Sequence, residues 1–179
     1  MSDNSKTKNE IEKDGVELEK EQVEIEIEKD EIDEIESWDD LPDIKEDLLR
    51  GIYSYGFEKP SPIQKKAILP IFNKTDIVAQ AQSGTGKTGC FTVGVLQLID
   101  VNLNKTQGII LSPTRELSLQ IKKVIDSIGA MMKKLKTQLL VGGQSVETDI
   151  NELKSNPHII IGCPGRVYDM LNRKRLLID

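Results

Sequence analysis

The stretch Ala81-Gln82-Ser83-Gly84-Thr85-Gly86-Lys87-Thr88 decides the fold class. It follows a short apolar run, Ile77-Val78-Ala79, and opens an amphipathic stretch, so it reads as a turn from strand to helix. Gly84 and Gly86 let the backbone wrap closely around a phosphate. The N–H groups of the loop and of the helix N-terminus then point at the anion. Lys87 adds a cation for the outer phosphates, and the Thr88 hydroxyl suits Mg²⁺. Ala81 stands where the general pattern has its first glycine, so the pattern is broken at one position. A glycine-rich turn with a chance Gly-Lys-Thr is the bland alternative. The loop implies binding of a nucleoside triphosphate and does not by itself separate a kinase, a GTPase or a helicase.

Outward from this loop the chain alternates strand and helix. Toward the C-terminus, a helix from about Gly86 to Ile99 precedes a strand at 108–111. A helix from about Glu116 to Met132 leads to a strand at Gln138–Val141. A helix at Val146–Leu153 leads to a strand at His158–Ile161, and a last helix covers Gly165–Asn172. Apolar strands between helices predict an α/β fold with a parallel sheet covered on both faces. Toward the N-terminus, Ile44, Leu48, Leu49 and Ile52 have helical spacing, and Gly56 closes that helix. Ser61-Pro62 opens another, carrying Ile63, Ala67 and Ile68 and stopping near Pro70.

The 179 residues suffice for one domain and a tail. The net charge of −6 hides an asymmetry. Residues 1–40 hold 17 acidic and 5 basic side chains, whereas residues 41–179 hold 13 acidic and 19 basic. The first 37 residues therefore read as an acidic disordered tail, and 38–179 as the domain. Val23-Glu24-Ile25-Glu26-Ile27 alternates like a strand but carries too much like charge for an edge strand without a basic partner. The basic remainder suits a polyanion. Cys90 and Cys163 have no CxxC spacing, which indicates two reduced buried thiols rather than a zinc site. No apolar run reaches membrane length and no signal pattern opens the chain, so cytosol, or else nucleus, is the expected compartment with no membrane partner. His158 begins a strand without metal-like neighbours and reads as structural.

Three further stretches carry a family resemblance. Gly56-Phe57-Glu58-Lys59-Pro60-Ser61-Pro62-Ile63-Gln64 resembles the Q motif of DEAD-box RNA helicases. Pro113-Thr114-Arg115-Glu116-Leu117 resembles their motif Ia, and Gly162-Cys163-Pro164-Gly165-Arg166 their Thr-Pro-Gly-Arg motif. Gly142-Gly143 falls between the last two, where the family has a Gly-Gly turn. The wording of the Q motif and of Arg166-Val167-Tyr168-Asp169-Met170-Leu171 is most similar to the translation-initiation branch. The resemblance runs from about Trp38 onward and implies a RecA-like domain.

It also implies the ligands. A glutamine amide matches the N7 acceptor and N6 donor of adenine together, so Gln64 would select ATP. Phe57 would pack on the base and Ser61 would assist, with residues 81–88 on the phosphates and Mg²⁺ at Thr88. RNA would lie on Pro113, Thr114, Arg115, Gly143, Gln144, Gly165 and Arg166. These residues follow three strands and so share one sheet edge, where open α/β sheets bind ligands. Such contacts track the sugar–phosphate backbone without reading sequence. Singly, Arg115 or Arg166 would pass as a surface charge. Cys163 replaces the family threonine, and a thiol is a poorer hydrogen-bond partner than a hydroxyl. Ser118 replaces the usual alanine after Glu-Leu.

The sequence contains no Asp-Glu-Ala-Asp. The resemblance would put that motif on the next strand, followed by a second RecA-like domain. The sheet is accordingly expected to be incomplete at its C-terminal end, beside the strand that feeds the phosphate loop. The implied activity is RNA-stimulated ATP hydrolysis with local duplex unwinding, for which these residues supply the phosphate cradle only. Translation-initiation or other RNA-processing proteins are the implied partners. Two alternatives stand beside this: a non-catalytic module that binds nucleotide or RNA or titrates helicase partners, and an unrelated phosphate-loop enzyme such as a small kinase.

Overall fold

The computed structural model describes the backbone of residues 24–27 and residues 34–177. The elements run β1 (Glu24–Ile27), α1 (Glu46–Ser54), α2 (Pro62–Phe72), β2 (Ile77–Gln80), α3 (Lys87–Leu98), β3 (Gly108–Leu111), α4 (Arg115–Ile128), β4 (Thr137–Leu140), α5 (Val146–Leu153), β5 (Ile159–Gly162) and α6 (Pro164–Asn172). Short 3₁₀ turns occupy Trp38–Asp40 and Gly129–Met131.

Strand β5 is the centre of a parallel sheet ordered β3-β5-β4. All four of its residues are buried. Its side chains alternate between two cores, as the pleat requires. Ile159 and Ile161 enter the cluster that holds Leu96, Ile121, Ile125 and Ile128. Ile160 enters the opposite cluster with Leu140, Leu153, Val167 and Met170. Helices thus cover both faces of this sheet, and strands buried on both sides can be uniformly apolar.

Strand β2 departs from the expected single sheet. Among the described residues its strand partner is β1, antiparallel, with Glu24 opposite Gln80 and Ile27 opposite Ile77. Val78, expected to be buried, is 67% exposed. Residues 24–27 of the acidic segment therefore form a strand despite their like charges, because the edge of β2 offers backbone partners. Ile35 is also buried, so the fold begins before Trp38. The rest of the expected tail, residues 1–23 and 28–33, and the last two residues lie outside the described residues.

Helix α1 ends where Tyr55 N–H returns to Gly51 and Gly56, in the left-handed region, turns the chain. Gly51 lets α1 lie against the end of α4, since a Cβ there would overlap the Ile128 carbonyl. Helix α2 passes through Pro70, where a stop was expected, and ends two residues later. A proline removes one N–H and strains one turn. Here that turn is the last, so the cost stays at the end.

Candidate nucleotide and RNA site

The loop from Ala81 to Gly86 joins β2 to α3. Gly84 and Gly86 both have positive φ, 87° and 97°, a conformation that favours glycine. A Cβ at Gly86 would lie 2.8 Å from both Gln64 Nε2 and Ser61 Oγ. A Cβ at Gly89 would lie 2.6 Å from the Phe57 ring. The segment 57–64 is therefore packed directly on the phosphate loop, 22 residues later in the chain for the Gln64–Gly86 pair. Phe57 is held edge-on by Tyr55, at 4.8 Å between ring centroids. Trp38 stacks on it at 6.3 Å.

The loop satisfies its own carbonyls. Lys87 Nζ donates to the carbonyls of Ala81 and Gln82, and Thr85 Oγ1 donates to Gln82 at 2.8 Å. Gln64 is 2% exposed. Its Nε2 donates to the Gly86 carbonyl at 3.0 Å and its Oε1 accepts from Ser61 N–H at 2.8 Å. Its amide does not stand open for a base edge, so reading adenine requires it to exchange both partners. Ser61 Oγ is buried without a hydrogen-bond partner. A buried orphan hydroxyl beside a positive-φ glycine fits a ligand that brings polar atoms. Phe57, Gly84, Lys87 and Thr88 line a cleft of about 830 Å³ that runs between β2 and β3, past Ala79 and Ile110. Thr88 lies in the first turn of α3, half-buried.

The other expected residues lie at the C-terminal ends of β3, β4 and β5. Thr114 caps α4, its Oγ1 accepting from Leu117 N–H at 3.2 Å. Gly143, at φ 82°, leads into α5. Cys163 precedes α6, with Pro164 at its first position. Three helix N-termini thus open on one edge, each a natural anion site. Pro113, Thr114, Arg115, Gly143, Gln144 and Gly165 are exposed there.

The two arginines also serve the scaffold. Arg115 Nη1 donates to the Gly142 carbonyl at 3.2 Å, tying the 113–115 turn to the 142–144 turn. Arg166 is mostly buried. Its Nη1 pairs with Asp149, which is fully buried, and its Nη2 donates to the Gln144 carbonyl at 3.0 Å. Asp149 is the functional residue that the sequence reading missed. Its signal was present: Val146, Asp149, Ile150 and Leu153 share one face of α5. An acid within an apolar stripe needs a buried cation.

Cys90 is buried and desolvation pushes its thiol up to about 12. Cys163 is half-buried rather than buried, and both thiols are free. His158 is buried and structural: its Nδ1 accepts from Lys136 N–H at 3.0 Å. No metal-holding group of His, Cys, Asp and Glu occurs among the described residues. None of their helices is long and apolar enough to cross a membrane.

Comparison with known proteins agrees with the fold. The chain is 50% identical over 147 residues to an ATP-dependent RNA helicase eIF4A of Aspergillus clavatus, covering 82% of this chain and 37% of that protein. It is 53% identical over 133 residues to an ATP-dependent RNA helicase FAL1 of Mycosarcoma maydis, covering 74% and 33%. It spans about a third of the length of these curated relatives. Among solved structures, a DEAD box protein from Methanococcus jannaschii superposes with a TM-score of 0.70 at 34% identity, over 80% of this chain and 39% of that one. Dbp5 of S. cerevisiae bound to RNA and ADP BeF3 superposes at 0.66 and 33%, over 81% and 36%. The DEAD/DEAH box helicase family model matches residues 61–179, and the chain belongs to that family.

Proposed function

We propose that this chain is the ATP-binding, RNA-contacting part of an ATP-dependent RNA helicase. The observation that carries the reading is that the candidate loop and turns all follow a strand and open a helix. The loop 81–88 and the turns at 113–115, 143–144 and 165–166 all lie at the C-terminal ends of their strands, with helix N-termini behind them. ATP would take the first position and the RNA sugar–phosphate backbone the other three. In place of the Ala81 and Gln82 carbonyls, Lys87 would meet the outer phosphates. Ser61 Oγ, now without a partner, would gain one. Mg²⁺ would be held by the Thr88 hydroxyl and would neutralise phosphate charge. The compartment follows the RNA, cytosol or nucleus, and translation-initiation proteins are the proposed partners.

These 179 residues contain no Asp-Glu-Ala-Asp to position metal and attacking water. By themselves they are expected to bind without hydrolysis, and the open gap between β2 and β3 supports that second reading. The test is titration of a fluorescent ATP analogue and of labelled oligo-uridine RNA. Saturable binding of both with no phosphate release is the expected result. ATP binding with no RNA affinity at low salt would overturn the RNA-contacting part of the reading.

A further inference from the structure

The two positions at which the sequence departs from the helicase wording are neighbours in space. Ser118, in the first turn of α4, is fully buried, and its Oγ lies 3.7 Å from Cys163 Sγ, the residue before α6. On its other side it lies 2.5 Å from Ser112 Oγ. Ser112 is 3% exposed and sits just past the end of β3. Its Oγ donates to the Thr114 carbonyl at 3.2 Å.

We propose that Ser112, Ser118 and Cys163 form a hydrogen-bonded relay that fixes the N-terminal turn of α4 against that of α6, and so sets the spacing of two RNA-phosphate positions. They are positioning residues. The role rests on the RNA reading above; the relay itself does not.

Proton counting fixes the direction. Each hydroxyl and the thiol has one proton. Ser112 gives its proton to the Thr114 carbonyl. Ser118 therefore gives its own to Ser112, and Cys163 gives its S–H to Ser118. The thiol proton is turned inward and is not offered to the groove. Sulfur is a weak donor with a long reach, which suits the 3.7 Å separation. The turns at both ends are otherwise anchored to the sheet, through Ser112 N–H to Gly162 and Cys163 N–H to Leu140. The relay is the side-chain link between the two helices at this edge.

Cys163 can be read directly, because Cys90 is buried and its thiol is pushed up to about 12. The experiment uses the whole chain and the variants Ser118→Ala, Cys163→Ala, Cys163→Ser and the Ser118→Ala/Cys163→Ala double. First, without RNA, Ellman's reagent measures the rate of thiol modification, with Cys163→Ala as the blank. Loss of the acceptor in Ser118→Ala should speed Cys163 about fivefold, the scale of one net hydrogen bond. An unchanged rate overturns the relay. Second, anisotropy of labelled oligo-uridine RNA gives affinity. Each alanine variant should lose about fivefold, the double no more than either single, and Cys163→Ser should match wild type. Additive losses, or a serine variant as weak as the alanine, overturn the positioning role. A wild-type chain that binds no RNA overturns the RNA reading and with it that role, while the thiol rates still decide whether the relay exists.

Discussion

At the residue scale, the chemistry rests on side chains that are already occupied. Lys87 holds the Ala81 and Gln82 carbonyls, which phosphate would replace in the proposed complex. Lys87→Ala should lower affinity for a fluorescent ATP analogue about tenfold or more, since a hydrogen bond to a charged group contributes about 1.5–3 kcal/mol. Unchanged binding would contradict the reading of the loop. Asp149 carries a different load. Its carboxylate is fully buried and pairs with Arg166, whose side chain is 12% exposed. Asp149→Ala leaves that guanidinium without its partner, at a cost of about 3–5 kcal/mol. Urea unfolding should show it, and RNA affinity should fall with it. The phosphate loop was legible because glycines, lysine and threonine at fixed spacing have few other uses. Asp149 was not, because one acid in an amphipathic helix looks like a solvated charge until the stripe it interrupts is noticed. For Gln64, the sequence gives no sign that its amide bridges Ser61 and Gly86.

At the element scale, helix starts were read more faithfully than stops. Ser61-Pro62 opens α2 and Thr114 caps α4 by side-chain chemistry local in sequence. Thr114→Ala should cost about 1 kcal/mol of stability, read by chemical unfolding, because Leu117 N–H loses its acceptor. The stop at Pro70 failed because a proline in a final turn costs little. The start of the β4–β5 pair adds a pH dependence. Burial, aided by the Lys136 charge, holds the His158 imidazole below its ordinary value, against a weaker opposite pull from Asp100. The unfolded chain then binds more protons than the folded one between the two values. His158 contributes stability that is full above about pH 6.5 and is lost as pH falls below it. Lowering pH from 7.5 to 5.5 should reduce the melting temperature, and His158→Gln should flatten that slope. An equally steep slope in the variant would assign the loss to other groups.

At the scale of the whole molecule, sequence periodicity located every strand of the β3-β5-β4 sheet to within a residue and could not say which strands pair. Pairing joins residues far apart in the chain, and period-2 or all-apolar runs carry no label for their neighbours. That is why the pairing of β2 with the acidic segment at 24–27 came only from the structure, whereas a gap beside β2 was already expected from the resemblance. The charge split is the molecule's other large feature. A basic body over residues 41–179 should bind single-stranded RNA through phosphate contacts, each contributing about −0.7 to the slope of log affinity against log salt. Three turns, each taking one phosphate, predict a slope of about −2. A slope near zero would contradict backbone recognition.

In the proposed function, one edge of the β3-β5-β4 sheet holds the RNA backbone on three turns. The most direct measurement is the change in backbone amide resonances of the isotope-labelled chain as oligo-uridine RNA is added. The account predicts that shifts concentrate at Thr114, Arg115, Gly143, Gln144, Gly165 and Arg166, while the opposite edge at Lys136 and His158 stays still. Shifts spread over the opposite edge, or absent from these turns at saturating RNA, would contradict it.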